Sequence, residues 1–145
     1  MLNETLIRNK IELIHQDLGR LKEFAHLTFD EVAKDWMTHS IVENLLMKII
    51  GRGIDINQHF ISEIVSVKIA APLDYEETFL KLGELKVLPE KFAQKIAKSA
   101  GFRNVLVHQY NNIDEQIFYK SVGEAVEQYT KYCDYILKFL EKEEA

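Results

Sequence analysis

Several residue types are scarce in this chain of 145 residues, and each scarcity closes off a class of protein. There is one cysteine, Cys133, so no internal disulfide can form, and no CxxC or Cys/His cluster suggests a zinc site. Two prolines and six glycines leave long stretches free of helix breakers and exclude fibrous or low-complexity architectures. No apolar run approaches the length of a membrane span. The first residues, MLNETLIRNKIEL, carry charges at Glu4, Arg8, Lys10 and Glu12, unlike a secretory signal, so the chain is expected to be cytoplasmic with no membrane association. Arginine is rare too, at positions 8, 20, 52 and 103 only. Against these gaps stand an apolar fraction of 47% and a charged fraction of 28%, the balance of an ordinary globular domain. A single domain over residues 1–145 is expected.

The net charge of −5 argues at first against a polyanionic partner, but it is unevenly spread. Residues 1–80 carry −5 and residues 111–145 carry −4, whereas residues 81–110 carry +4. Within that basic segment Lys91, Lys95 and Lys98 recur at helical spacing, forming one cationic stripe that runs toward Arg103 and could attract RNA. A solvated helix face is the blander account of the same stripe.

Apolar periodicity is helical almost throughout. Ile7, Ile11, Ile14, Leu18, Leu21 and Ala25 step by three and four, predicting a first helix over about residues 3–26. Asp30 is the expected N-cap of a long second helix starting near Glu31. That helix carries Val42, Leu45, Leu46, Ile49, Ile50, Ile54, Phe60, Ile61 and Ile64, apolar on more than one side. So wide a surface suggests burial in the core on one face and against a second copy on another. Pro72 and Asp74 punctuate the chain, and Asp74 is expected to cap a short helix through about Leu85. Pro89 suits the start of the next helix, with Phe92, Ile96 and Val105 inside. Asn111 and Asn112 break the pattern, and Asp114 caps a last helix whose seam is Phe118, Val122, Ala125, Tyr129, Cys133, Ile136 and Leu140. The expected fold is all-α: an up-and-down four-helix bundle with one extra short helix.

Helical bundles often house paired metals, and Glu12/His15 and Glu23/His26 have the Glu-x-x-His spacing. Both pairs fall on one helix about 16 Å apart, too far to share a bimetallic centre, so they are expected on the surface and no metal or other cofactor is implied. Gly51-Arg52-Gly53 lacks the remainder of a phosphate loop; close helix approach is the better account. His39 and His59 have no triad partners at recognisable spacing, although Asp55 and His59 could brace the long helix internally. Cys133, on the core seam, reads as packing.

One segment concentrates chemistry. In Arg103-Asn104-Val105-Leu106-Val107-His108-Gln109-Tyr110 a permanent cation, an imidazole and a phenol share eight residues, and no other arginine has His at +5. Cleaving an RNA phosphodiester needs a base for the attacking 2′-hydroxyl, an acid for the leaving 5′-oxygen, and a cation on the phosphoryl oxygens. His108 can serve as base or acid, and Arg103 supplies a fixed forked charge; neither role requires metal. On a continuous helix the two side chains diverge by about 140°, and one chain offers only one imidazole. A symmetric dimer joining two copies of the motif answers both points. The structural alternative is that Arg103 pairs with a bundle carboxylate and His108 caps a helix C-terminus.

These residues resemble a family. RNVLVHQY matches the Arg-x4-His-x-Tyr signature of the HepT-like toxins within the HEPN superfamily of helical-bundle ribonucleases. The likeness extends to Ile54-Asp55-Ile56-Asn57-Gln58-His59, to the block LPEKFAQKIAKSAGFRNVLVHQY and to Asn112-Ile113-Asp114. It implies a homodimeric, metal-independent endoribonuclease toxin with Arg103 and His108 in a cleft between protomers and Asn104 supporting them. It also implies an MntA-like nucleotidyltransferase antitoxin that neutralises the toxin by adding AMP to Tyr110. The chain departs mildly, with Gln109 where many relatives carry an acid and with Gly51 and Gly53 inside the long helix. A non-catalytic HEPN module that holds a nucleotide or a partner is the alternative that the same residues allow.

Overall fold

The computed structural model describes residues 2–64, 73–108 and 114–144. Among the described residues there are six helices: α1 (Glu4–Ala25), α2 (Phe29–Lys34), α3 (Trp36–Ile64), α4 (Tyr75–Glu84), α5 (Glu90–His108) and α6 (Glu115–Glu144). Four are long and two short, so the expected all-α bundle is present with one more short helix than the periodicity suggested.

The extra helix corrects the start of the long one. Thr28, not Asp30, is the cap: its hydroxyl accepts from the Glu31 amide while the Glu31 carboxylate accepts from the Thr28 amide, a complete capping box around the six residues of α2. Asp35 then adopts an extended backbone (φ −97°, ψ 105°) and ends α2. Its carboxylate accepts from the Met37 amide and the Thr38 hydroxyl, which restarts the chain as α3. Asp74 caps α4 through a second capping box, and the Asp114 carboxylate accepts from the Gln116 and Ile117 amides at the head of α6, both as expected. Pro89 sits immediately before α5, its carbonyl accepting from Ala93.

Contacts along the helices set the topology. Asn3 meets His59, Lys10 meets Asp55 and Asp17 meets Arg52, so α1 and α3 run antiparallel. Phe92 packs on Tyr135 and Phe102 on Phe118, so α5 and α6 are antiparallel as well. His39 against Phe118 and Phe60 against Phe139 make α3 and α6 parallel, the diagonal pair of an up-down-up-down arrangement. Helix α4 folds back on α5 as a hairpin: Gly83 lies against Ala93, and Gly101 against Glu76.

Helix α3 lies at the centre, in contact with α1, α2, α4, α5 and α6. Of the expected set, the residues from Val42 to Ile61 are therefore buried within one chain, and only Ile64 is exposed. Five neighbouring helices of the same chain cover most of this apolar surface, while Trp36, Met37 and Ile41 on the first turns of α3 stay exposed. Ile7, Ile11, Ile14, Leu18 and Leu21 are buried as expected, whereas Ala25, on the final turn of α1, is exposed. On α5 Ile96 is buried, but Val105 is only half-buried and Leu106 takes the interior position. The entire α6 seam from Phe118 to Leu140 is buried, joined by Tyr132.

Candidate functional site

Helix α5 continues unbroken to His108, so the backbone carries Arg103 and His108 on one helix, about 7.5 Å apart along its axis and about 140° apart around it. Asn104 is exposed and, at i, i+4, lies on the His108 side. The His108 side chain, Gln109, Tyr110 and Asn112 fall outside the described residues, so the Tyr110 modification site has no structural account here.

Arg103 is described fully. Its guanidinium carbon stands 5.7 Å from the centre of the Tyr75 ring, a cation–π contact from the first turn of α4. On the α3 side the Arg103 shaft passes Gly51, where a Cβ would come within 3.5 Å of Nε. Nε is buried and has no hydrogen-bond partner, and no described carboxylate pairs with the guanidinium. The structural alternative, a bundle ion pair for Arg103, is therefore absent among the described residues. The charge is held in place by an aromatic ring and a side-chain-free stretch of helix, neither of which neutralises it.

Two polar assemblies fix the walls around Arg103. The buried Tyr132 hydroxyl donates to Asn57 Oδ1 (2.5 Å) and lies 3.1 Å from the Gly53 carbonyl. Asn57 Nδ2 donates to the Thr78 hydroxyl, which donates to the Tyr75 carbonyl at 2.7 Å. This chain ties α6 through α3 to the turn that presents Tyr75. Beside it, buried Asp17 receives Arg52, which also donates to the Leu13 carbonyl, and Arg20 at 3.0 Å. Asp17 thereby locks α1 to the α3 turn that contains Gly51. Tyr75, Lys48 and Gly51 were not picked out by sequence reasoning as neighbours of Arg103. The available trace was that Lys48, Gly51 and Asp55 fall on one face of α3 at i, i+3 and i+7.

The other sequence candidates are dispersed. Lys91, Lys95 and Lys98 are exposed, but their stripe leads along the α5–α6 groove, where Lys95, Lys98, Phe102 and Lys120 share a wall. Arg103 lies one residue further round, on the α3–α4 side, so the stripe does not run to it. Glu12, His15, Glu23 and His26 are all exposed, as expected. Asp55 and His59 do not brace each other: Asp55 receives Lys10 at 3.3 Å, and His59 Nε2 accepts from the Asn3 amide at 2.9 Å. His39 stacks on Phe118 at 4.1 Å, with Glu43 3.5 Å from one ring nitrogen and Glu115 3.3 Å from the other, clipping α3 to the start of α6. Burial pushes the Cys133 thiol up to about 12, which suits packing and not nucleophilic attack. Gly53 allows the close approach expected of it, since a Cβ there would come within 2.9 Å of the Tyr129 ring.

Comparison with known proteins matches residues 14–136 to the family model described as ribonuclease HepT-like. A tRNA nuclease HepT from Aphanizomenon flos-aquae is 33% identical over 139 residues, covering 96% of this chain and 92% of that protein. Among solved structures, a tri-AMPylated Shewanella oneidensis HEPN toxin in complex with MNT antitoxin superposes with a TM-score of 0.79 at 20% identity, over 92% of this chain and 97% of that one. A cytosolic protein of unknown function from Bacillus subtilis, YutE, superposes with a TM-score of 0.79 at 18% identity, over 98% and 93% of the two chains. These structural likenesses establish a common fold.

Proposed function

The chain belongs to the HepT-like ribonuclease family, and from that premise we propose that it is a toxin that cleaves tRNA without metal, using Arg103 and His108. The attacking 2′-hydroxyl passes its proton to an imidazole, Arg103 stabilises charge on the phosphoryl oxygens, and the leaving 5′-oxygen is protonated. Two copies of the motif meet in a symmetric dimer, which supplies a second imidazole and brings an Arg103 and a His108 into one cleft despite their divergence on the helix. Asn104, on the His108 side of α5, supports the imidazole, and the lysines of the α5–α6 groove guide the RNA. The observation that carries the proposal is the state of Arg103: the motif cation is oriented by Tyr75 and Gly51 yet paired with no described carboxylate, so its charge remains available for a phosphate. The extended identity to a tRNA nuclease supports the choice of tRNA as substrate.

The partner is an MntA-like nucleotidyltransferase that adds AMP to Tyr110, two residues from His108; the added phosphates would crowd the cleft and repel RNA. The fold shared with a tri-AMPylated toxin bound to its MNT antitoxin supports this pairing. Among the described residues no helix is long and apolar enough to cross a membrane, and a structural neighbour is described as cytosolic, in keeping with a cytoplasmic site of action.

His108→Ala is expected to lower tRNA cleavage by about 10²- to 10⁴-fold and Arg103→Ala by about 10²- to 10³-fold, with far-UV circular dichroism unchanged. Either variant cutting as fast as wild type would end the catalytic assignment. After co-expression with the antitoxin the intact mass should rise by whole AMP units, and Tyr110→Phe should abolish the rise. A rise that survives in Tyr110→Phe would place the modification elsewhere.

A further inference from the structure

Arg103 opens onto a cavity of about 230 Å³ between α3 and α4, which is also lined by Lys48, Gly51, Arg52, Asp55 and Tyr75. Its walls carry three cations and one carboxylate, although the chain's net charge is −5. The balance sharpens when existing pairs are removed. Arg52 is engaged by Asp17, and Asp55 by Lys10 at 3.3 Å. Lys48 and Arg103 are left, neither paired with a carboxylate among the described residues and both facing the same space. The volume is below the roughly 300–1,000 Å³ that encloses a whole small-molecule ligand, and suits one phosphate with part of its sugar.

The empty space has a definite origin. Helix α3 passes the cavity at Gly51, and an added Cβ there would meet only Arg103, at 3.5 Å from Nε and 3.9 Å from Nη2. A longer side chain at this position would grow toward Arg103 and into the space the cavity occupies. A Cβ alone would fit here, since 3.5 Å is ordinary contact; it is the bulk beyond a Cβ that would fill the cavity. At Gly53 a Cβ would meet the Tyr129 ring, whereas Gly51 has no packed neighbour except Arg103 itself.

We propose that this cavity is a subsite for one phosphate of the RNA strand, gripped jointly by Arg103 and Lys48, and that Gly51 is the residue that keeps it open. Tyr75 is a positioning residue, its ring 5.7 Å from the guanidinium carbon that would meet the phosphate. That the anion is RNA rests on the ribonuclease reading; the cationic cavity itself does not.

The test uses full-length unmodified protein and a single-stranded 2′-O-methyl RNA oligonucleotide, which can bind but lacks the attacking hydroxyl. Gly51→Leu improves helix propensity, so it should not lower the melting temperature. Gly51→Leu should bind the oligonucleotide about tenfold or more weakly than wild type and lose cleavage in parallel. Lys48→Gln, on the surface, should weaken binding about tenfold and reduce the slope of log K against log salt by about 0.7, the share of one single-strand phosphate contact. Wild-type binding by folded Gly51→Leu together with an unchanged salt slope in Lys48→Gln would overturn the subsite, even if the wild type cuts RNA. Should Gly51→Leu fail to fold, Lys48→Gln decides alone. Failure of the wild type to bind the oligonucleotide also overturns the subsite. Binding that depends on Gly51 and Lys48 without any cleavage of natural RNA would leave the subsite standing and remove the ribonuclease reading instead.

Discussion

Burial acts in opposite ways on the two kinds of reactive side chain in this bundle. Arg103 cannot shed its charge, so partial burial against a π face and a glycine fixes its direction and leaves its charge intact. Cys133, Tyr129 and Tyr132 can shed a proton, and burial drives them the other way: the thiol rises to about 12 and both phenols rise above their ordinary 10.0. All three stay neutral in the folded state, and their contribution is fully present below the unfolded values of 9.0 and 10.0. It is lost as pH climbs beyond those values, because the unfolded chain then releases protons that the folded chain retains. Urea unfolding should therefore show stability nearly flat around pH 7–8 and falling from about pH 9 upward. In Cys133→Val the fall should be shallower by up to about 1.4 kcal/mol per pH unit, the contribution of one group. Identical slopes for wild type and variant would show that Cys133 is not held neutral. At this scale the motif from Arg103 to Tyr110 was legible in the sequence because it is contiguous. Tyr75 was not, because it lies 28 positions before Arg103 and meets it only once α4 has folded back on α5.

Element boundaries depend on local chemistry that periodicity does not see. The apolar rhythm across residues 29–64 reads as one helix, yet the Thr28–Glu31 capping box and the extended Asp35 split it in two. Thr-x-x-Glu was present to be read; Asp30 was the stronger-looking cap because a carboxylate precedes the longer apolar run. The glycines offer a test of how far local propensity governs each helix. Gly19 on α1 and Gly123 on α6 are exposed, and a Cβ at either would meet nothing within 4 Å. Gly19→Ala and Gly123→Ala should each stabilise the fold by about 1 kcal/mol, measured by chemical denaturation. Gly53→Ala gains the same propensity but drives a methyl within 2.9 Å of the Tyr129 ring, so it should come out destabilised by about 1–2 kcal/mol. A stabilised Gly53→Ala would mean that α3 and α6 approach less tightly than described. The apolar width of α3 has a related reading: periodicity counts greasy faces but not neighbours, and five helices of the same chain pack on this one while Trp36, Met37 and Ile41 remain exposed.

For the whole molecule, the bundle packs an acidic chain while leaving the motif cation Arg103 without a described carboxylate partner. The α1–α3 and α3–α6 junctions are closed by paired or hydrogen-bonded groups such as Asp17 with Arg52 and Tyr132 with Asn57. The face of α5 toward α3 and α4 keeps Arg103 unpaired, and Lys48 faces it across the cavity. Fold class was readable from periodicity because four long amphipathic helices have few ways to bury their stripes. The assembly of the site was not, because it depends on which helices become neighbours. The most direct measurement is incubation of tRNA with purified, unmodified protein in excess EDTA, followed by analysis of the fragment ends. A 2′-hydroxyl attack assisted by Arg103 and His108 predicts cleavage undiminished by the chelator, with 2′,3′-cyclic phosphate on the upstream fragment and 5′-hydroxyl on the downstream one. Intact tRNA after incubation with dimeric, unmodified protein, or fragments bearing 5′-phosphates, would contradict the account.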